Sequence, residues 1–108
     1  YVSSIKEDLI AARAKIEKGW CQGVAARTSK GASVSFADPA AARFCIMGAV
    51  YVTTEDPVGV QMRLYTALRN RGISDLSLSA YNDIEGRTKK SVLALFDEAI
   101  KCAEEGDT

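Results

Sequence analysis

Cys21 sits in the pentapeptide Gly19-Trp20-Cys21-Gln22-Gly23, and a thiol in so tight a corner is the first place to look for nucleophilic chemistry. A cysteine nucleophile needs a lowered pKa, ordinarily from a histidine that also carries the proton. The chain has no histidine. Arginine or lysine can stabilise a thiolate but moves protons poorly at neutral pH, so Cys21 reads first as a small buried hydrophobe. Structural zinc wants four Cys or His ligands in close pairs, whereas Cys21, Cys45 and Cys102 are scattered. Magnesium or calcium needs clustered carboxylates, and Asp83 with Glu85 is too small a set. No catalytic residue, metal or cofactor is expected.

The densest polar stretch is Asn82-Asp83-Ile84-Glu85-Gly86-Arg87-Thr88. In a binding account, Arg87 grips a carboxylate or phosphate through paired N–H groups while Asn82 reads a ligand edge. In a structural account, Asn82 and Asp83 turn the chain, Arg87 pairs with Asp83, and Thr88 caps the following helix. The structural account is preferred, because such residues are common at helix junctions. Gln22 serves either account beside Trp20, the only tryptophan, whose large ring carries one donor in need of a partner. The candidate ligand- or partner-binding set is therefore Trp20, Gln22, Asn82, Asp83 and Arg87, with Trp20 expected to be mostly buried near Gly48. Arg63, Arg69, Arg71, Lys89 and Lys90 can make a basic face, but Asp75, Glu85, Asp97 and Glu98 dilute it. No helix-turn-helix or aromatic-basic motif accompanies it, so nucleic acid is not an expected partner.

These residues need elements to hold them. Ser4-Ile5-Lys6-Glu7 is a capping box, and Ile5, Leu9, Ala12 and Ile16 follow at helical spacing. Gly19 is expected to end that helix in the left-handed conformation. Segments 24–27 and 32–36 can pair as a short hairpin around Thr28-Ser29-Lys30-Gly31; an irregular loop is the alternative, since alanine and serine are poor strand formers. Asp38-Pro39 and Asp56-Pro57 each predict a helix start, a capping aspartate before proline at the first helical position. The first of these helices would present Ala41, Phe44, Cys45, Gly48, Tyr51 and Val52 on one face, with Gly48 admitting another backbone. The second would present Val60, Leu64, Ala67 and Leu68 and end at Gly72. A short helical turn within 73–81, with Ser74 as a cap, precedes a last helix opened by Thr88. That helix carries Val92, Phe96, Ala99, Ile100 and Ala103 and stops at Gly106. The expected fold is all-α: one domain over residues 1–108, a bundle of four main helices plus a short one, with a minor β-hairpin near residues 24–36 as an option.

Composition bounds the setting. The 108 residues are 47% hydrophobic and 26% charged, as in ordinary globular proteins. Fourteen Lys and Arg balance fourteen Asp and Glu, which removes the overall field of a dedicated nucleic-acid or membrane-surface binder. No apolar run approaches the roughly 18 residues of a membrane span, and the first residues lack the pattern of a signal peptide. An odd number of cysteines leaves one unpaired within a monomer, which favours a reducing compartment. A cytoplasmic location is expected.

Three patterns in order, Gly19-Trp20-Cys21-Gln22-Gly23, Arg43-Phe44-Cys45-Ile46-Met47-Gly48-Ala49 and Tyr81 through Thr88, give the chain a family likeness. It resembles an uncharacterised family of small proteins from bacteria and their phages. That family typically reads Gly-Trp-x-Gln-Gly, then Trp-Cys-x-x-Gly-Ala, then Trp-Asn-Asp-x-x-x-Arg-Thr. The resemblance covers nearly the whole chain; Phe44 and Tyr81 stand where the family tends to have tryptophan, so an aromatic ring is kept. It implies a fold and a set of positions but no reaction. The expected function is a non-catalytic cytoplasmic binding or interaction domain of bacterial or phage origin, whose partner is another protein or a second copy of itself. Two alternatives stand beside it: a phage-type inhibitor that occludes a host defence complex, and a Cys21-dependent enzyme.

Overall fold

In the computed structural model, which describes residues 4–106, the caps written into the sequence open three of the helices. Helix α1 spans Ile5–Lys18; Ser4 Oγ accepts the Glu7 N–H at 3.1 Å, and the Ser4 hydroxyl donates to Glu7 Oε1 at 3.2 Å. Leu9, Ala12 and Ile16 are fully buried and Ile5 packs at the margin of the core. Gly19 departs from expectation. Its backbone is extended (φ −173°), not left-handed, and glycine is required for clearance, since a Cβ would stand 2.3 Å from the Ala42 carbonyl oxygen.

The hairpin forms and gains a third strand. Strands β1 (Ala26–Arg27), β2 (Ser33–Val34) and β3 (Arg43–Phe44) make an antiparallel sheet in the order β2-β1-β3. Ala26 lies opposite Val34 on one side and Phe44 on the other. Phe44 also forms a parallel bridge to Trp20, its N–H donating to the Gly19 carbonyl at 3.0 Å.

That sheet overturns the helix expected from Asp38-Pro39. Asp38 does cap, with Oδ1 accepting the Ala40 N–H at 2.8 Å, but it caps a single turn. The chain is then held extended: Ala42 N–H donates to the Arg27 carbonyl at 2.8 Å and Cys45 N–H to that of Ala25 at 3.1 Å. Helix α2 (Ile46–Thr53) starts only afterwards, with Cys45 as its N-cap through a thiol that accepts the Gly48 N–H at 3.3 Å. Its buried face is Ile46, Gly48, Ala49 and Val50, while Tyr51 and Val52 are exposed and Tyr51 stacks on Phe36. Gly48 has the role expected of it. The backbone admitted is Ala25, whose carbonyl oxygen would be 2.1 Å from a Cβ.

Helix α3 (Pro57–Asn70) is capped by Asp56 and buries Val60, Leu64, Ala67 and Leu68. It ends in a Schellman motif at Gly72 (φ +80°), with Ile73 N–H donating to the Leu68 carbonyl at 3.0 Å and Gly72 N–H to that of Arg69 at 2.9 Å. Helix α4 (Leu78–Asp83) is capped by Ser77, not Ser74. Helix α5 (Lys89–Gly106) opens on Thr88, whose Oγ1 accepts the Ser91 N–H, and its last residue is Gly106, where the stop was expected. Val92, Leu95, Phe96, Ala99 and Ala103 are buried, with Ile100 at the margin. Helix α5 packs on α1 and α3, α1 also on α2, and α4 on α2 and α3, giving a mostly helical protein with a small sheet at one side. Among the described residues no helix is long and apolar enough to cross a membrane.

Gly48→Ala places a methyl group against backbone that cannot swing aside, so it should lower stability by about 1–3 kcal/mol. In a urea titration the midpoint should fall while the slope stays constant.

Candidate functional site

A short helix such as α4 is marginal by itself, and its position is set by one side chain. Asn82 has 0% exposure and is the one buried polar residue among those described. Its Oδ1 accepts from Trp20 Nε1 at 2.8 Å and from the Ile46 N–H at 3.2 Å. Its Nδ2 donates to the Cys21 carbonyl at 3.1 Å and to Asp83 Oδ1 at 2.9 Å. Both donors and both acceptor positions of the amide are therefore used. One side chain joins the Gly-Trp-Cys-Gln-Gly corner, the amino end of α2 and the carboxyl end of α4.

The corner returns the contact. Gln22 Nε2 donates to the carbonyls of Asn82 (2.9 Å) and Ile84 (3.1 Å), groups that a helix terminus leaves open. Gly23, at φ +85°, turns its N–H onto Asp83 Oδ1 at 3.0 Å. Trp20 is half-buried at the margin of the core, less withdrawn than expected, with its indole N–H turned onto the buried Asn82 amide. Its link toward the Gly48 helix runs through that amide.

Arg87 joins the junction by another route than the one expected. Among the described residues it makes no ion pair with Asp83, whose Oδ1 is occupied by Gly23 and Asn82. Arg87 Nε instead donates to the Tyr81 carbonyl at 3.1 Å, and its guanidinium lies 3.8 Å from the centre of the Tyr81 ring. The end of α4 offers a free carbonyl and an aromatic face together, and the guanidinium takes that seat. All five candidate residues are thus brought to one junction.

The thiols are poorly placed for nucleophilic work. Burial pushes the Cys21 thiol up to about 11, with neighbouring Cys45 adding to the effect and Arg27 opposing it. Cys45 is also raised by burial, opposed by the N–H groups of Gly48 and Met47. Among the described residues no three His, Cys, Asp or Glu side chains gather as a metal site would require.

A hollow of about 210 Å³ lies beside the junction, walled by residues 23–25, by Cys45 and Met47 of the α2 start, and by Ser79 and Asp83 of α4. Met47 and Ser79 carry no local signal in the sequence and meet there only through folding. A second hollow, about 370 Å³ between Ile5 and the first turns of α3, holds none of the candidate residues. Of the expected basic face, Arg71 is held by Glu98 and the Tyr81 hydroxyl, both at 3.3 Å.

A small, mostly helical protein closed around one saturated buried amide is the class that fold and site define. The chain belongs to the family of unknown function DUF6197, whose model matches residues 1–101. No curated protein and no solved structure matches it.

Asn82→Ala would strand the Ile46 N–H, the Cys21 carbonyl and the Trp20 indole together. At about 1–3 kcal/mol for each buried group left unpaired, the loss should be about 3 kcal/mol or more, read from chemical denaturation. With its pKa near 11 against an ordinary 9.0, Cys21 carries about a hundredfold less thiolate at pH 8. Iodoacetamide should alkylate Cys21 of the folded protein about a hundredfold more slowly than in the denatured chain. The rate should climb about tenfold per pH unit until near 11, followed by peptide mass spectrometry.

Proposed function

We propose that this protein is a non-catalytic binding domain that docks another protein on the junction, with Arg87 as the anchor. One observation carries the reading. Arg87 is fixed by its Nε bond and its seat on Tyr81, while its two terminal nitrogens have no protein acceptor among the described residues. A guanidinium held in this way presents a paired donor edge whose ordering cost is met before binding. The matching group is a carboxylate of the partner, which can accept two parallel bonds. Asn82, in contrast, has no capacity left for a ligand, so Asn82, Trp20 and Gln22 support the surface from below. The raised Cys21 thiol and the missing histidine argue against an enzyme. A cytoplasmic bacterial or phage setting, in which buried thiols stay reduced, completes the reading.

Arg87→Ala separates anchoring from folding. It removes one hydrogen bond and one cation–π contact at a half-buried position, so stability should drop by only about 1–2 kcal/mol. A photo-crosslinking amino acid at exposed Glu85 should capture a defined protein in cells making the wild-type chain, and should lose it with Arg87→Ala. Sedimentation velocity distinguishes a second copy of the chain from a different protein. Capture unaffected by Arg87→Ala overturns the reading.

A further inference from the structure

We propose that the hollow beside Asp83 receives the side chain of a lysine. That the lysine belongs to a partner protein rests on the docking function proposed above; that the hollow takes an alkylammonium group does not. At about 210 Å³ it falls below the roughly 300–1,000 Å³ of pockets that enclose cofactors and drug-sized ligands, so its occupant is a single chain-like group. Its walls are mostly apolar, from residues 23–25, Met47 and the protonated Cys45, and they suit a run of methylenes.

The charge at the rim selects the end of that chain. Asp83 is exposed and forms no ion pair with any Lys or Arg among the described residues. Its Oδ1 is taken by the neutral donors Gly23 N–H and Asn82 Nδ2, while Oδ2 has no protein donor among those residues. A single open carboxylate oxygen suits a compact ammonium. It does not suit a guanidinium, whose fork would leave one donor unmatched. Two cations of this region are engaged elsewhere: Arg27 donates to the backbone carbonyls of Gly31 and Gln22, and Arg87 to that of Tyr81. The amino end of α2 carries partial positive charge, but its first donors already go to Asn82 Oδ1 and Cys45 Sγ.

The test is an amide and methyl NMR titration of the whole protein with n-butylammonium chloride at constant ionic strength. The controls are n-butanol and n-propylguanidinium. Saturable shifts at Gly23, Ser79 and the Met47 methyl, with a millimolar midpoint, are expected for the ammonium. Butanol should give no saturation and the guanidinium a weaker midpoint. Asp83→Asn keeps an oxygen for both neutral donors, so melting should barely change while the midpoint weakens about tenfold or more. Absence of saturation, equal binding of butanol, tighter binding of the guanidinium, or unchanged binding by Asp83→Asn each overturns the inference. No partner protein enters this titration, so its failure leaves the Arg87-dependent crosslink to be judged separately. Loss of the crosslink likewise leaves the amine site intact.

Discussion

A primary amide has two donors and two acceptor positions, and at Asn82 all four are satisfied away from water. Buried polar groups act in both directions: complete, they fix one arrangement of the chain, and incomplete, they cost more than an apolar side chain would. The groups that complete this one come from far apart in sequence, Trp20 and Cys21 on one side and Ile46 on another. The corner, the start of α2 and the end of α4 therefore have one mutual placement that leaves nothing unpaired. The sheet supports part of it from beneath, since the Phe44 bridge to Trp20 and the Ala25 contact with Gly48 bring the corner and the start of α2 together.

This arrangement divides the chemically expressive residues into two groups. Asn82 and the two buried thiols are turned inward, and Gln22 spends its amide N–H groups on the end of α4. Arg87 and Asp83 are each half-engaged, one through Nε and a ring face, the other through a single carboxylate oxygen. A rigid interior thus carries two opposite charges at its edge, each held through only part of its polar surface.

Much of the helical frame was legible in local sequence. Ser4 with Glu7, Asp56 before Pro57, Gly72 and Thr88 each end or open a helix through groups a few residues away, so their chemistry is visible in a short window. Asp38-Pro39 failed because the same capping chemistry serves a single turn when the following residues are claimed by a strand. Ala42 and Phe44 donate their N–H groups to the carbonyls of Arg27 and Gly19, which no local window contains. The candidate residues were recognisable by type, but their partners were not: Asp83 meets Gly23 across sixty positions, whereas Arg87 lies four residues on and goes elsewhere. Cys45 as a helix cap was hidden for a chemical reason, sulfur being a weak acceptor seldom used where serine or aspartate serve.

Trp20, the only tryptophan of the chain, donates its indole N–H to the central amide while its ring stays half in water. Tryptophan emission shifts with the polarity and hydrogen bonding around the indole, so the tryptophan fluorescence of this chain originates at this junction. Unlike the tyrosines spread through the chain, it reports on one contact. The chain thus contains its own optical gauge of whether the corner is closed on α4, with no label added and no other tryptophan to mask the signal.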